Sequence, residues 1–142
     1  MNTRDLTQQD EELIAAAFKA IRSNYVEDRH GVAAAIRAAS GKIYTGVNIE
    51  SPGVGTCAEP VALGAAVTAG ERQFQCVVAV ERSGPGGDRP GIMSPCGVCR
   101  EMLYHYCPDA DVIVPGRDGA RKLKASDLLP IPYTDNRMTE AT

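Results

Sequence analysis

Residues 74–81, FQCVVAVE, are almost wholly apolar and rich in β-branched side chains. A strand with one wet face alternates polar and apolar residues, whereas a run like this suits a strand covered on both faces. That requirement restricts the chain to folds with a layer on each side of a sheet. The flanking segments can supply those layers. Leu13, Ile14, Ala17, Phe18 and Ile21 recur at helical spacing behind a Thr7/Asp10 capping pair, which predicts an amphipathic helix over 8–22. CAEPVALGAAVTA (57–69), stopped by Gly70, predicts a short buried helix. CGVCREMLYHYC (96–107) predicts a third, punctuated by Pro108.

GVAAAIRA and KIYTGVNIE read as two strands joined by the turn ASGK, and DVIVPG (111–116) reads as another strand. RSGPGGDRPG (82–91) reads as a flexible loop. GRDGARKLK (116–124) reads as a solvated turn, with a weak anion-binding patch as the lesser alternative. KASDLLP suggests a short last helix. Strands alternating with helices predict an α/β chain with a three-layer α/β/α arrangement around a mixed, five-stranded, partly parallel sheet. A chain of 142 residues suits one domain, expected over 1–133 and followed by a polar tail over 134–142.

A net charge of −3 argues against a nucleic-acid partner, which would favour a basic surface. No segment approaches the roughly 18 apolar residues of a membrane span, and the polar start MNTRDLTQQDEEL does not read as a secretory signal. No membrane partner is expected. Five cysteines, an odd number, do not suggest a disulfide framework for a domain of this size. A reducing, cytoplasmic setting fits best, with thiols serving a metal or catalysis.

TCAEP and SPCGVC both lie where a loop after a strand enters a helix, the place where open α/β sheets gather ligands. CGVC alone is ambiguous: it fits half a zinc site, a redox dithiol, or two helix thiols without a task. If the two helix starts face each other, Cys57, Cys96 and Cys99 converge. Three thiolates with a fourth position open is the pattern of a catalytic zinc, whereas a structural site would want a fourth protein ligand. Cys107 lies too far along its helix to join them, and Cys76 reads as a small core residue. Glu59, two positions after Cys57, is either a glutamate favoured by the helix dipole or a proton carrier beside the open position. His105, between Tyr104 and Tyr106, reads as a packing residue.

Together CAE, PCGVC, YTGVNIE, ALGAA and the LLP…Y ending resemble the cytidine deaminase family of zinc enzymes, in particular its short blasticidin S deaminase-like branch. The resemblance covers most of residues 26–133. It implies one Zn²⁺ per chain held by Cys57, Cys96 and Cys99, with Glu59 as catalytic proton shuttle. The implied reaction is hydrolytic deamination of cytidine or deoxycytidine to the uracil nucleoside, as in pyrimidine salvage, with release of ammonia. A nucleoside antibiotic such as blasticidin S, or another modified aminopyrimidine nucleoside, is the alternative substrate. Asn48 and Glu50 match positions that hydrogen-bond the sugar hydroxyls, Ala58 offers backbone groups to the base, and His30 falls where relatives carry a phenylalanine that packs on it. Relatives of this size form homotetramers with shared active sites, so the resemblance implies a homotetramer here, with Tyr133 in a C-terminal stretch that covers a pocket.

Many three-cysteine relatives carry an arginine after the glutamate, where this chain has Pro60. Helix N-termini at both cysteine segments, with Arg100, are then expected to offset the thiolate charge. A zinc-stabilised binding module and a Cys96/Cys99 redox protein are the competing classes. The first predicts indifference to Glu59→Gln; the second leaves Cys57 and Glu59 unexplained.

Overall fold

The structure is a computed structural model and describes residues 2–133. The tail expected over 134–142 lies outside the described residues. The chain opens with α1 (Gln8–Asn24), then β1 (Val32–Ala38) and β2 (Ile43–Val47), followed by the two-residue strands β3 (Ile49–Glu50) and β4 (Gly55–Thr56). Next come α2 (Ala58–Thr68), β5 (Phe74–Ser83), β6 (Arg89–Met93) and α3 (Gly97–Tyr106). Strands β7 (Asp111–Val114) and β8 (Arg121–Lys124) lead into a 3₁₀ turn at Ala125–Leu128. The reciprocal Thr7/Asp10 capping box starts α1 as the sequence predicts.

The main sheet runs β2-β1-β5-β7-β8, and β6 also pairs with β5. β5–β7 is its parallel pairing; the others are antiparallel. Side chains alternate across each strand, so the two faces sort themselves by residue parity. Ala34, Ile36, Val77, Ala79 and Val112 join the core beneath α2 and α3. Ala33, Ala35, Val78, Val80 and Ile113 join Leu13, Ala17 and Ile21 of α1 on the opposite side. The double-sided burial read from residues 74–81 is thus the middle layer of an α/β/α sandwich.

Two segments differ from the sequence expectation. The main sheet has six strands, not five. The presumed flexible loop 82–91 contains the end of β5, a turn and most of β6, paired from Ala79↔Met93 to Ser83↔Arg89. Gly84, Gly86 and Gly87 all adopt positive φ and make the short connection possible. The presumed solvated turn 116–124 ends as β8, with Lys122 and Leu123 buried.

Lys122 is buried because its charge is matched. Its Nζ lies 2.7 Å from Asp10 Oδ2 and 3.7 Å from Asp111, whose carboxylate also pairs with Arg4 and Lys124. Arg4 and Lys122 form an antiparallel backbone bridge, so the segment before α1 covers the free edge of β8. Burial opposes ionisation of Asp10, but hydrogen bonds from Lys122 and Thr7 outweigh it and hold its pKa below the ordinary range. Asp111 is held down by the same kind of balance, with Arg4 and Lys124 opposing burial.

A second close approach fixes α2. A Cβ added at Gly46 would lie 2.4 Å from the backbone nitrogen of Ala62 and 2.8 Å from Val61. Only glycine lets β2 and α2 pack at this separation.

Lys122→Ala should cost about 3 kcal/mol in urea unfolding at pH 7, because it leaves Asp10 buried with its main partner removed. A carboxylate with a depressed native pKa stabilises above its unfolded value and loses that contribution as pH falls through the native one. The wild-type melting temperature should therefore drop below about pH 4, and less steeply in Lys122→Ala. Gly46→Ala should cost about 1–3 kcal/mol by overpacking, and should reduce metal affinity by displacing the helix that follows Cys57.

Candidate active site

β5 divides its second edge. Cys76 and Val77 pair with β7, while Ala79–Ser83 pair with β6. β6 and β7 therefore part beside the middle of β5, and the chain leaving Met93 enters α3 at this opening. Pro95 is buried there, and Cys96 is the N-cap of α3. Cys57 is the N-cap of α2, with Pro60 in the first turn, where a missing N–H costs little. Two helix N-termini thus deliver the cysteines, and their partial positive charge favours thiolates.

The sulfurs of Cys57, Cys96 and Cys99 lie within 4.8 Å of one another, with Cys57 and Cys96 3.5 Å apart. A disulfide would require about 2.05 Å. Sulfurs at ~2.3 Å around a tetrahedral Zn²⁺ sit about 3.8 Å apart, so this donor set fits that ion in spacing and softness. Burial, then the Glu59 charge, pushes the Cys99 thiol far above its usual range. Burial also opposes ionisation of Cys96, but the backbone amides of Cys99 and Val98 and the neighbouring sulfurs outweigh it and bring that thiol below its usual range. A cation among the sulfurs removes the mutual repulsion that keeps all three from ionising together.

Glu59 is 6% exposed, and burial raises its pKa. It lines a cavity of about 280 Å³ together with Asn48, Glu50, Cys57, Ala58 and Cys96. Cys99 is fully buried behind the wall. Asn48 and Glu50 reach this cavity by a different local route from the one expected. The continuous strand ends at Val47, and Ile49–Glu50 forms a separate ladder with Gly55–Thr56. His30 is not among the lining residues; its Nδ1 donates to the Asn48 carbonyl at 2.8 Å.

Arg100 does not turn to the sulfurs. Its guanidinium donates to the Pro95 carbonyl (2.8 Å), Ser94 Oγ (2.9 Å) and the Leu128 carbonyl (3.4 Å), bracing the segment that carries Cys96. Cys76 and Cys107 are buried in the two cores, and burial pushes each thiol up to about 12. His105 packs edge-on to Tyr104. Sequence reasoning missed the cavity-wall residues Val32, Thr56, Ala79, Met93 and Ser94. Ser94 stands two positions before Cys96 and was within reach of the motif. Ala79 and Met93 are cross-strand partners whose apolar character looks like ordinary core.

The cytidine and deoxycytidylate deaminase zinc-binding region matches residues 7–114. The chain is 37% identical to the blasticidin-S deaminase of Bacillus cereus, over 96% of this chain and all of that protein. It is 32% identical to the cytidine deaminase of Halalkalibacterium halodurans, over 90% of this chain and 96% of that one. The crystal structure of cytidine deaminase from Burkholderia pseudomallei superposes with a TM-score of 0.71 at 32% identity, covering 90% of this chain and all of that chain. A metal-compatible sulfur triad beside a buried glutamate, on this fold and with these relatives, places the chain in the zinc-binding cytidine and deoxycytidylate deaminase family.

Proposed function

We propose that the chain hydrolyses the exocyclic C–N bond of a cytosine nucleoside, cytidine or deoxycytidine, releasing ammonia and the uracil nucleoside. The observation that carries this reading is the buried Glu59 beside three convergent sulfurs on the wall of a nucleoside-sized cavity. Cys57, Cys96 and Cys99 would hold one Zn²⁺ per chain, which when bound would act as a Lewis acid and lower the pKa of water from about 15.7 towards 7. Glu59 would accept a proton from the attacking water and deliver it to N3 of the ring, then take the remaining proton from the new C4 hydroxyl and give it to the departing amine as the C4 carbonyl forms. Overall, water adds at C4 and ammonia leaves, so no other reactant is required. The Ala58 backbone, at the first residue of α2, meets the base. Asn48, Glu50 and, behind them, His30 form the sugar side. The helix N-termini do the charge balancing that Pro60 cannot.

A blasticidin S-type nucleoside antibiotic is the second reading, and one observation favours it. A further cavity of about 600 Å³ shares Val32, Asn48 and Glu50 with the first, giving room for a sugar substituent. Catalysis belongs to one domain over residues 1–133. A cytoplasmic salvage role suits five unpaired thiols. A homotetramer is supported by α2, which is apolar all round yet leaves Gly64 and Ala65 exposed, and by Val98 and Ile131 at 74% and 92% exposure.

Loss of cytidine, deoxycytidine and blasticidin S absorbance, read beside metal content, tests the reaction. Glu59→Gln should lower kcat by about 10²–10⁴-fold while one zinc per chain remains. Wild-type zinc binding with no turnover of any of the three would instead favour a binding module. Sedimentation should give four times the chain mass; a monomer would remove the tetramer from the proposal.

A further inference from the structure

The 116–124 segment, by its sequence a solvated turn or a weak anion patch, carries two of three arginines that share one cavity. Arg117 and Arg121 line it from the β7–β8 connection, and Arg100 from the start of α3. The cavity has a volume of about 380 Å³. Val114, Leu123 and Leu128 supply an apolar wall, and no carboxylate is among its described lining residues. The two cavities described above, and a third beside α1, all have carboxylates in their walls. On a chain of net charge −3, three guanidinium groups around one acid-free cavity run against the overall balance.

Their present partners leave much of that charge unmatched. Among the described residues, Arg100 and Arg117 pair with no carboxylate. Arg100 donates three of its five N–H groups to neutral acceptors, Pro95, Ser94 and Leu128, which leaves one on each terminal nitrogen. Arg121 donates to Thr3 and pairs with Asp5, whose side chain is 90% exposed, so solvent weakens that pair. The turn that carries Arg117 is fixed by glycine at both ends. A Cβ on Gly116 would lie 2.4 Å from the Gly119 carbonyl oxygen, and Gly119 has a φ of +120°. Asp118, next to Arg117 in sequence, is exposed and does not line the cavity.

We infer that this cavity is a binding site for a phosphoryl oxyanion, carried as inorganic phosphate or as the head of an organic phosphate. The planar fork of a guanidinium matches phosphate oxygens two at a time, and an acid-free wall lets three such groups act on one anion. The unused N–H groups of Arg100 can meet the anion without releasing Ser94 or Pro95, so the brace on the Cys96 segment persists. Val114, Leu123 and Leu128 give the body of an ester an apolar surface to rest on. Ser94 lines both this cavity and the one beside the sulfurs, whereas Arg117 lines only this one. An Arg117 variant therefore locates the ligand. Binding is read directly, so the site stands or falls apart from the deaminase reading.

Titration calorimetry of the zinc-loaded protein with inorganic phosphate and with adenosine 5′-monophosphate, at constant ionic strength, tests the site. Wild type should bind each saturably, one per chain. Arg117→Gln should weaken both about tenfold, the loss of one charge-assisted contact. Arg117→Lys keeps the charge without the fork, so it should fall between the two, and it carries the test if glutamine destabilises the turn. Lys19→Gln removes the same charge from an exposed position on α1 and should leave both affinities within twofold. Tighter binding of the monophosphate assigns an ester as the ligand, and equal or weaker binding assigns the inorganic ion; either order upholds the site. Absence of saturable binding, an Arg117→Gln affinity equal to wild type, or an equal loss in Lys19→Gln would each overturn it.

Discussion

Burial of β5 on both faces organises everything else in the molecule. A strand with no wet side needs a cover above and below, and α1 on one side with α2 and α3 on the other provide it. The same strand makes the crevice. Its second edge is longer than either partner, so β7 takes the lower part and β6 the upper, and the chain must leave the sheet between them. Helix α3 starts in that gap with Cys96 at its N-cap, while the Gly46 contact holds α2 close enough for Cys57 to meet it. The sulfur triad is a product of sheet topology before it is a product of motif.

The local electrostatics follow from this placement. Three sulfurs and a buried carboxylate crowd a site whose cavity has no arginine among its described lining residues. Backbone amides at the start of α3 bring the Cys96 thiol below its usual range, whereas burial and then its Cys96 and Glu59 neighbours hold the Cys57 thiol above it. Arg100, the nearest guanidinium in sequence, spends its donors on the Ser94–Pro95 segment and on Leu128. It contributes rigidity in place of charge.

Much of this was legible in the sequence. Helix periodicity and the Thr7/Asp10 cap placed α1, and the spacing of Cys57, Glu59, Cys96 and Cys99 pointed to one cluster. What escaped was set by distant partners. The glycines and prolines of 82–91 looked like a flexible loop, yet Pro90 sits opposite Arg82 on β6, paired with β5. Lys122 looked like a solvated charge because Asp10, which neutralises it, lies 112 residues earlier. Nor does any local pattern reveal that the Asn48 amide bonds to the backbone of Arg29, Gly31 and Val32. In each case side-chain chemistry was clear, and the missing information was which group would be nearby.

The bond between Asp10 and Lys122 also bears on the order in which the molecule assembles. The first helix carries a carboxylate whose main counter-charge lies 112 residues later, and Arg4 must find the backbone of that same strand. Contacts of such sequence separation carry a loop-closure cost that is recovered only once β8 is in place. While the chain is still emerging from the ribosome, α1 can be helical but cannot dock with its charge matched. Apolar packing of α1 on β1 and β5 is thus separable from its charge matching, which only β8 can provide.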